Sequence, residues 1–289
     1  NVIVAGDKRL SVYIDQGPNG GSPISMYQYS TDDGATWRNR TDGGTTGSPM
    51  LITALVADGT TPLTNGTQYD IRVRAENVAG YGVSSAKSAS TPRTVPSAPS
   101  IVGNTISGSD GVLNAAFTAP SSTGGATISM YQYSTDAGAT WRNRTDGSTT
   151  ASPVVISVLS TNGTSSLVGG TEYFVELRAV NAAGSGLASD VATGITKTAP
   201  LAPTLTALVG NDSSAAISFD VPANGGSAIS KYEYKLDNGT FIDTATLANT
   251  FTISGLTNGT TYSVVVRAVN DIGNGATSAS SSVTPSGSA

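Results

Sequence analysis

The fold is decided by the stretch Leu256-Thr257-Asn258-Gly259-Thr260-Thr261-Tyr262-Ser263-Val264-Val265-Val266-Arg267-Ala268. Its Asn-Gly pair is typical of a tight turn, and the residues that follow alternate between the two faces of a strand. Tyr262 and the residues two, four and six positions later point toward a core, whereas Arg267 points toward solvent. The stretch therefore predicts a half-buried strand entered from a turn.

The same turn and strand occur twice more, at residues 63–75 and 167–179. In each copy a Leu precedes the Tyr by six residues, and an Asn and two glycines follow the strand, which favours a turn with positive φ before the last strand. Three copies of one strand pattern indicate three copies of one structural unit.

An upstream segment confirms the period of the repeat. Met26–Gly43 returns as Met130–Gly147, an offset of 104 residues, with Ala137 in place of Asp33 as the one difference. A diverged third copy begins at Lys231. A period of about 100 residues corresponds to a whole domain. We expect three domains, at residues 1–94, 95–198 and 199–289, with the first lacking the start of its first strand.

The corner and strand resemble those of fibronectin type III domains. The resemblance implies that Tyr69, Tyr173 and Tyr262 are tyrosine-corner residues, each with its hydroxyl bonded to nearby backbone. It also implies inward-facing residues on the third strand, at Ile24, Tyr27 and Tyr29 and at Ile128, Tyr131 and Tyr133. The implied fold class is all-β, with three tandem fibronectin type III-like (immunoglobulin-like) antiparallel β-sandwiches in a rod.

Two departures from the family pattern are visible. Ile14, Phe117 and Phe219 stand where the family usually carries a core Trp, so the core must be packed differently. The first two repeats also hold about eight extra residues before the tyrosine corner, at 56–63 in the first. Proline-rich segments at 91–99 and 198–203 predict stiff linkers, because proline fixes φ and donates no hydrogen bond. Pro99 and Pro203 have no counterpart in the first repeat. By the local offsets it would fall a few residues before Asn1, which leads us to expect a longer parent protein.

Composition excludes several classes of function. The 289 residues contain no His and no Cys, so Ser–His–Asp and Cys–His catalysis, disulfides and thiolate metal sites are ruled out. The net charge of −5 argues against nucleic-acid binding. The apolar runs are too short for membrane insertion. We expect no enzyme activity, no cofactor and no metal site.

The segments at 30–37 and 134–141 fit the Asp-box pattern S-x-D-x-G-x-T-W of sialidases and other β-propellers. Glycoside hydrolysis needs two carboxylates, or a Tyr and an acid, across one cleft, and no such set can be named. We therefore favour a structural hairpin in which Asp32 and Asp136 bond their own turns while Gly34 and Gly138 supply positive φ.

Two copies of the tip Trp-Arg-Asn-Arg are the candidate ligand contacts, at Trp37, Arg38, Asn39 and Arg40 and at Trp141, Arg142, Asn143 and Arg144. An aromatic face flanked by guanidinium and amide groups can stack on and hydrogen-bond a sugar. The alternative, which we favour, is that each Trp folds over its own hairpin while the Arg side chains are solvated. The third repeat has Phe241-Ile242-Asp243 there, which restricts the hypothesis to the first two repeats.

Acidic loop clusters at Asp32-Asp33, Asn211-Asp212 and Asn270-Asp271 could contribute calcium ligands, but each supplies only two or three oxygens, and turn formation is the favoured interpretation. Near-identical repeats and proline-rich joints favour an extracellular, cell-surface or virion-surface spacer or adhesion protein. Its partners would be other domains or chains of that assembly, with cell-surface glycans a second candidate. The alternative is a glycan-binding accessory segment of a secreted polysaccharide-degrading enzyme.

Overall fold

The structure is a computed structural model that describes residues 1–287. Every regular element within that range is a β-strand. The chain divides into two compact units, one of residues 1–100, 118–132 and 177–189, the other of residues 101–117, 133–176 and 190–289. The strands are given below by sequence repeat.

The first repeat forms two antiparallel sheets, ordered β1-β2-β5 and β4-β3-β6-β7, with β8 also paired to β6. Its strands are β1 (Val2–Gly6), β2 (Arg9–Tyr13), β3 (Met26–Ser30), β4 (Arg38–Asn39), β5 (Met50–Ile52), β6 (Tyr69–Asn77), β7 (Gly80–Tyr81) and β8 (Ser88–Ser90). In the second sheet, Tyr29 of β3 lies opposite Val73 of β6. The inward faces of the two sheets enclose one core.

The core of the first repeat consists of side chains that are nearly or fully buried: Leu10, Val12, Tyr27, Tyr29, Met50, Ile52, Val56, Leu63, Tyr69, Ile71 and Val73. Burial of each large apolar side chain contributes about 1.5–3 kcal/mol. The alternation from Tyr69 to Val73 is as expected from the sequence. Ile14, at the position of the family's Trp, is partly buried against the same core.

The extra residues of the first repeat form a loop before the tyrosine corner, closed by an isolated bridge between Ala54 and Pro62. Asp58 accepts hydrogen bonds from the backbone N–H groups of Thr60 (2.9 Å) and Thr61 (2.8 Å) and from the Thr61 hydroxyl. The Thr61 hydroxyl and these amides lower the pKa of the exposed Asp58 carboxyl to about 2. The insertion is therefore ordered by its own side chains.

The second repeat contains β9 (Ser100–Ile101), β10 (Thr105–Ser109), β11 (Val112–Ala115), β12 (Phe117–Thr118), β13 (Met130–Ser134), β14 (Arg142–Asn143), β15 (Val154–Ile156), β16 (Glu172–Asn181), β17 (Gly184–Ala188) and β18 (Ala192–Ile195). Strand β10 pairs with β11 in antiparallel fashion over its second half, and its first half pairs in parallel with β18. Gly108 permits this switch, because a Cβ there would lie 2.0 Å from the Ile195 carbonyl oxygen. The sequence does not predict this parallel pair.

The third repeat again forms two sheets, β19-β20-β23 and β22-β21-β24-β25. Its strands are β19 (Thr204–Asn211), β20 (Ser214–Asp220), β21 (Ile229–Leu236), β22 (Ile242–Asp243), β23 (Thr250–Ser254), β24 (Tyr262–Asn270) and β25 (Ser281–Val283). Phe219 is fully buried, with its ring edge-on to Tyr232 at a centroid distance of 4.7 Å. A Phe thus fills the position of the family's Trp.

Candidate functional site

The first Asp box is a self-contained hairpin turn after β3. The Ser30 hydroxyl donates to Asp32 Oδ1 (2.6 Å) and accepts the Gly34 N–H (2.8 Å). Asp32 also accepts the backbone N–H and the hydroxyl of Thr36, at 3.0 and 2.5 Å. Gly34 has a φ of +90°, which a residue with a side chain rarely adopts. The hairpin interpretation is confirmed by this geometry.

The second Asp box repeats these bonds from Ser134 through Asp136 to Thr140, and Ser160 adds a hydroxyl. Burial alone would raise the pKa of the Asp136 carboxyl, but hydrogen bonds from Ser134 and Thr140 bring it below the usual range. Asp32 behaves in the same way, with Ser30 and Thr36 as donors. A carboxyl held ionised in this manner is poorly suited to act as a general acid.

The one residue that differs between the two hairpins has a partner that differs as well. Asp33 forms an ion pair with Arg72, with Nε–Oδ1 at 2.6 Å. In the second repeat Ala137 stands in place of Asp33, and Glu176 stands in place of Arg72. Burial, and then the charge of Asp136, raises the pKa of Glu176. The second repeat therefore lacks both halves of the Asp33–Arg72 ion pair.

Trp37 lies on the outer face of the second sheet of the first repeat, stacked against an arginine. The guanidinium carbon of Arg74 is 4.3 Å from the Trp37 ring centroid and 4.1 Å from that of Tyr81. Arg74 Nε donates to Gln28 Oε1 (2.8 Å), and Gln28 Nε2 donates to Asn39 Oδ1 (2.6 Å). The result is an aromatic–cation–aromatic stripe, Trp37–Arg74–Tyr81, whose Tyr81 end is 56% exposed.

The third repeat builds a related stack from different residues. The guanidinium carbon of Arg267 lies 3.5 Å from the Phe241 ring centroid, and Arg267 also pairs with Glu233 at 2.7 Å. The strand pattern predicts that Arg267 points outward, but it does not identify Arg267 or Arg74 as the partner of an aromatic residue. The signal available was position: each Arg is the fifth residue after its corner tyrosine.

Arg40 and Arg144 are buried, not solvated. Arg40 forms a two-point ion pair with Asp42, at 2.7 and 2.8 Å, and its side chain is only 3% exposed. Arg40 Nη1 also donates to the Gly47 carbonyl (2.5 Å). Arg144 repeats the pair with Asp146, at 2.8 and 2.7 Å. These two arginines hold the loop that follows each hairpin. The Trp, Arg and Asn that precede them remain the candidate ligand contacts of each tip.

Arg38 lies over the inserted loop, where its Nε donates to the Val56 carbonyl (3.0 Å). Its counterpart Arg142 has a buried Nε for which the described part of the chain offers no acceptor. Beside it is an open surface depression lined by Trp141, Arg142, Asn143 and Thr145. The structure thus brings three of the four tip residues of the second repeat to one concave surface.

The three corner tyrosines make the same backbone contact. Each hydroxyl accepts the N–H of the residue five positions earlier: Thr64 to Tyr69 (3.0 Å), Val168 to Tyr173 (2.8 Å) and Thr257 to Tyr262 (3.1 Å). Tyr69 and Tyr173 are buried, and Tyr262 is half-buried. This bond closes the turn at the start of the long strand in every repeat.

At two of the three positions considered for calcium, an acidic side chain is bonded to the protein. Asp33 pairs with Arg72, and Asp212 accepts the Asn258 amide (2.7 Å). Among residues 1–287 no three acidic, His or Cys side chains come together as a metal site. Within the same residues, no helix has the length and apolar character to cross a membrane.

Comparison with known proteins identifies a family for the third repeat. Residues 199–284 match the family model of the fibronectin type III domain. Over the whole chain, the structure is similar to a crystal structure of the FN1–FN3 domains of chicken CNTN1, with 19% sequence identity, 98% of this chain and 96% of that chain covered, and a TM-score of 0.33. No curated protein matches the sequence. The third repeat therefore has the fibronectin type III fold, an immunoglobulin-like β-sandwich, and the first two repeats carry the same tyrosine corner.

Proposed function

We propose that these fibronectin type III repeats form a non-catalytic spacer of a cell surface or virion, which holds other parts of an assembly at a set separation. Fibronectin type III repeats are typically non-catalytic modules, which supports the coarser part of this proposal. The mildly acidic surface, with a net charge of −5, resists nonspecific association.

The observation that carries the proposal is the bonding of each linker to the repeat that follows it. Thr94 and Ser97 donate their backbone N–H groups to the carbonyls of Gly124 (2.8 Å) and Ser122 (3.0 Å). Pro96 between them is buried. A linker bonded in this way has few backbone torsions left free to rotate, and low flexibility is the property that a spacer requires.

Joint stiffness can be measured by pulsed electron paramagnetic resonance, because the chain has no native Cys to compete for spin labels. Labels at exposed Tyr13 and Val102, changed to Cys, flank the first linker. We expect a single narrow distance distribution, broadened when Pro96→Gly is combined with Asn181→Ala. A distribution as broad as that of a Gly/Ser linker of equal length would rule out a spacer. Antibody labelling of intact cells or particles tests the location.

Glycan binding is the second candidate, and the Trp37–Arg74–Tyr81 stripe favours it. Aromatic faces set on one sheet surface, with Asn39 alongside, match the stacking and hydrogen-bonding needs of a sugar ring. The depression at Trp141 offers a second contact. A glycan array is the direct test. Binding should fall at least tenfold for Trp37→Ala with Trp141→Ala, and Phe241→Ala is the matched control. Absence of binding, or equal loss in the control, would remove this candidate.

A further inference from the structure

The two linkers of this chain are attached in the same way, and in each joint one asparagine holds the linker. Asn181 Nδ2 donates to the carbonyl of linker residue Thr94 (2.8 Å) and to that of loop residue Thr123 (2.7 Å). In the next joint, Asn270 Nδ2 makes the equivalent pair of bonds, to Thr198 (2.8 Å) and to Asn224 (2.9 Å). Each asparagine therefore uses both amide hydrogens, one on its own repeat and one on the incoming linker.

Backbone bonds complete the attachment at matching positions. In the first joint they are Thr94 N–H to Gly124 (2.8 Å), Ser97 N–H to Ser122 (3.0 Å) and Leu187 N–H to Pro96 (3.2 Å). In the second they are Thr198 N–H to Gly225 (2.8 Å), Leu201 N–H to Ala223 (3.0 Å) and Ala276 N–H to Pro200 (3.3 Å). The bound segment reads Thr-x-Pro-x both times, with the proline buried.

A glycine makes room for each linker. A Cβ on Gly186 would lie 2.5 Å from the Pro96 carbonyl oxygen, and one on Gly275 would lie 2.6 Å from that of Pro200. Neither glycine has a positive φ, so crowding explains its small size. The linker carbonyl is the nearest contact in both joints, followed by a carbonyl of the long strand, Ala179 at 3.1 Å or Ala268 at 2.9 Å.

In the first repeat, no segment of residues 1–287 lies in the corresponding groove. Asn77 bonds the Asn19 carbonyl (2.8 Å), but its second amide hydrogen reaches only the Ser22 carbonyl at 3.4 Å. Gly82 has no positive φ, and a Cβ there would meet only the Ala75 oxygen at an ordinary 3.6 Å. Nothing within residues 1–287 therefore requires a glycine at position 82.

The open groove is lined by Pro18, Gly20, Ile24, Asn77, Tyr81 and Gly82. The groups that would bond a linker have no protein partner among residues 1–287: the carbonyls of Pro18 and Gly20 and the N–H of Val83. Val83 is 98% exposed and nearby Val78 is 90% exposed. Unused polar groups and exposed apolar side chains thus occur together at one edge of this repeat.

We propose that this groove binds an extended Thr-x-Pro-x segment, the chemistry of the chain's own linkers, delivered by another fibronectin type III module. Two carbonyls of that segment would accept from Asn77 and from Val83 N–H, and two N–H groups would donate to Gly20 and Pro18. The proline has no N–H to leave unsatisfied and holds the strand extended. A second copy of this chain fits less well, because its two Thr-x-Pro-x linkers, at 94–97 and 198–201, are each already bonded to the repeat that follows them.

The test supplies the segment in the correct register. Leu10 and Leu113 hold equivalent places in their strands, so Asn1 corresponds to Asn104. A copy of residues 91–103 placed directly before Asn1 therefore reproduces the spacing of the second repeat. The matched control carries residues 98–103 only, which restores the first strand but lacks Thr-x-Pro-x. Amide exchange at Val83 and the side-chain amide NMR signal of Asn77 are the measurements.

With the long extension we expect the exchange of the Val83 amide to slow by about tenfold, the order expected from one net hydrogen bond, and the Asn77 signal to shift. The short extension should change neither, and Gly82→Ala should abolish both effects while leaving the unextended chain folded. Equal behaviour of the two extensions would overturn the proposal. Concentration-dependent shifts at Asn77 with dimers in sedimentation would overturn the proposed occupant in favour of a second copy. Neither readout depends on the spacer function.

Discussion

Removing the carboxylate of Asp42 should destabilise the first repeat by about 3 kcal/mol at neutral pH. Hydrogen bonds from Arg40 lower the pKa of the Asp42 carboxyl from 3.8 to about 2. At 1.36 kcal/mol per pKa unit, this corresponds to about 2.5 kcal/mol of stability in the ionised form. In Asp42→Asn the Arg40 side chain, 3% exposed, would also lose its counter-charge, and breaking a buried pair costs about 3–5 kcal/mol.

The effect should depend on pH in a defined direction. Because the folded pKa of Asp42 lies below the unfolded value, its contribution is complete above about pH 4 and is lost as the pH falls through about 2. The difference between Asp42→Asn and the parent should therefore shrink in acid. Urea unfolding followed by Trp37 fluorescence, in a Trp141→Phe background, reports on the first repeat alone.

Asp58→Asn is the matched control for this experiment. The pKa of Asp58 is also about 2, but the carboxyl is exposed and bonds only its own loop. We expect Asp58→Asn to cause only a small loss of stability, because it leaves no buried charge without a counter-charge. A loss below about 0.5 kcal/mol for Asp42→Asn at pH 7, or a loss unchanged between pH 6 and pH 2, would refute the assignment of a stabilising buried ion pair.

Three further changes test the joints and corners. Tyr173→Phe should cost about 1 kcal/mol in urea unfolding, because the Val168 N–H loses its acceptor, and an unchanged stability would contradict the bond. Asn181→Ala should cost about 1–3 kcal/mol and speed amide hydrogen exchange in the linker. Asn77→Ala should cost less, because its amide holds no linker among residues 1–287, and equal losses of stability would contradict the linker contact. Gly186→Ala should destabilise by more than 1 kcal/mol, since its Cβ would meet a linker carbonyl, and Gly82→Ala by less; the reverse order would contradict the crowding.

Much of the fold follows from the sequence, because its strongest signals are local. The period-2 alternation at 69–75 fixes which side chains face the core, and the Asp-box residues bond within seven positions of one another. Both patterns are short-range and need no knowledge of the rest of the chain.

The burial of the charged tip residues was harder to predict. Arg40 stands in a polar hairpin, where arginine is usually solvated. Its burial depends on Asp42, two residues later, and on loop carbonyls at 47 and 49 that turn inward only in the folded loop. The Arg-x-Asp spacing was the one available signal. The pairing of Trp37 with Arg74 was also hidden, since it joins residues 37 positions apart.

The paired glycines after the long strand were identified from sequence, but only the first of each pair has the positive φ that was expected, as at Gly184 with 131°. The second, Gly186, is small because a linker carbonyl passes it. A purely local interpretation cannot distinguish these two reasons for glycine, because the second depends on a segment about 90 residues earlier.

The joints rest mainly on main-chain atoms, with one asparagine amide and a buried proline as the side-chain contributions. Such an attachment needs few particular side chains, so the residues around it can be substituted without breaking it. A duplicated gene segment carries the donor loop and the outgoing strand together. The number of repeats can therefore grow or shrink during evolution without a new interface having to be selected each time.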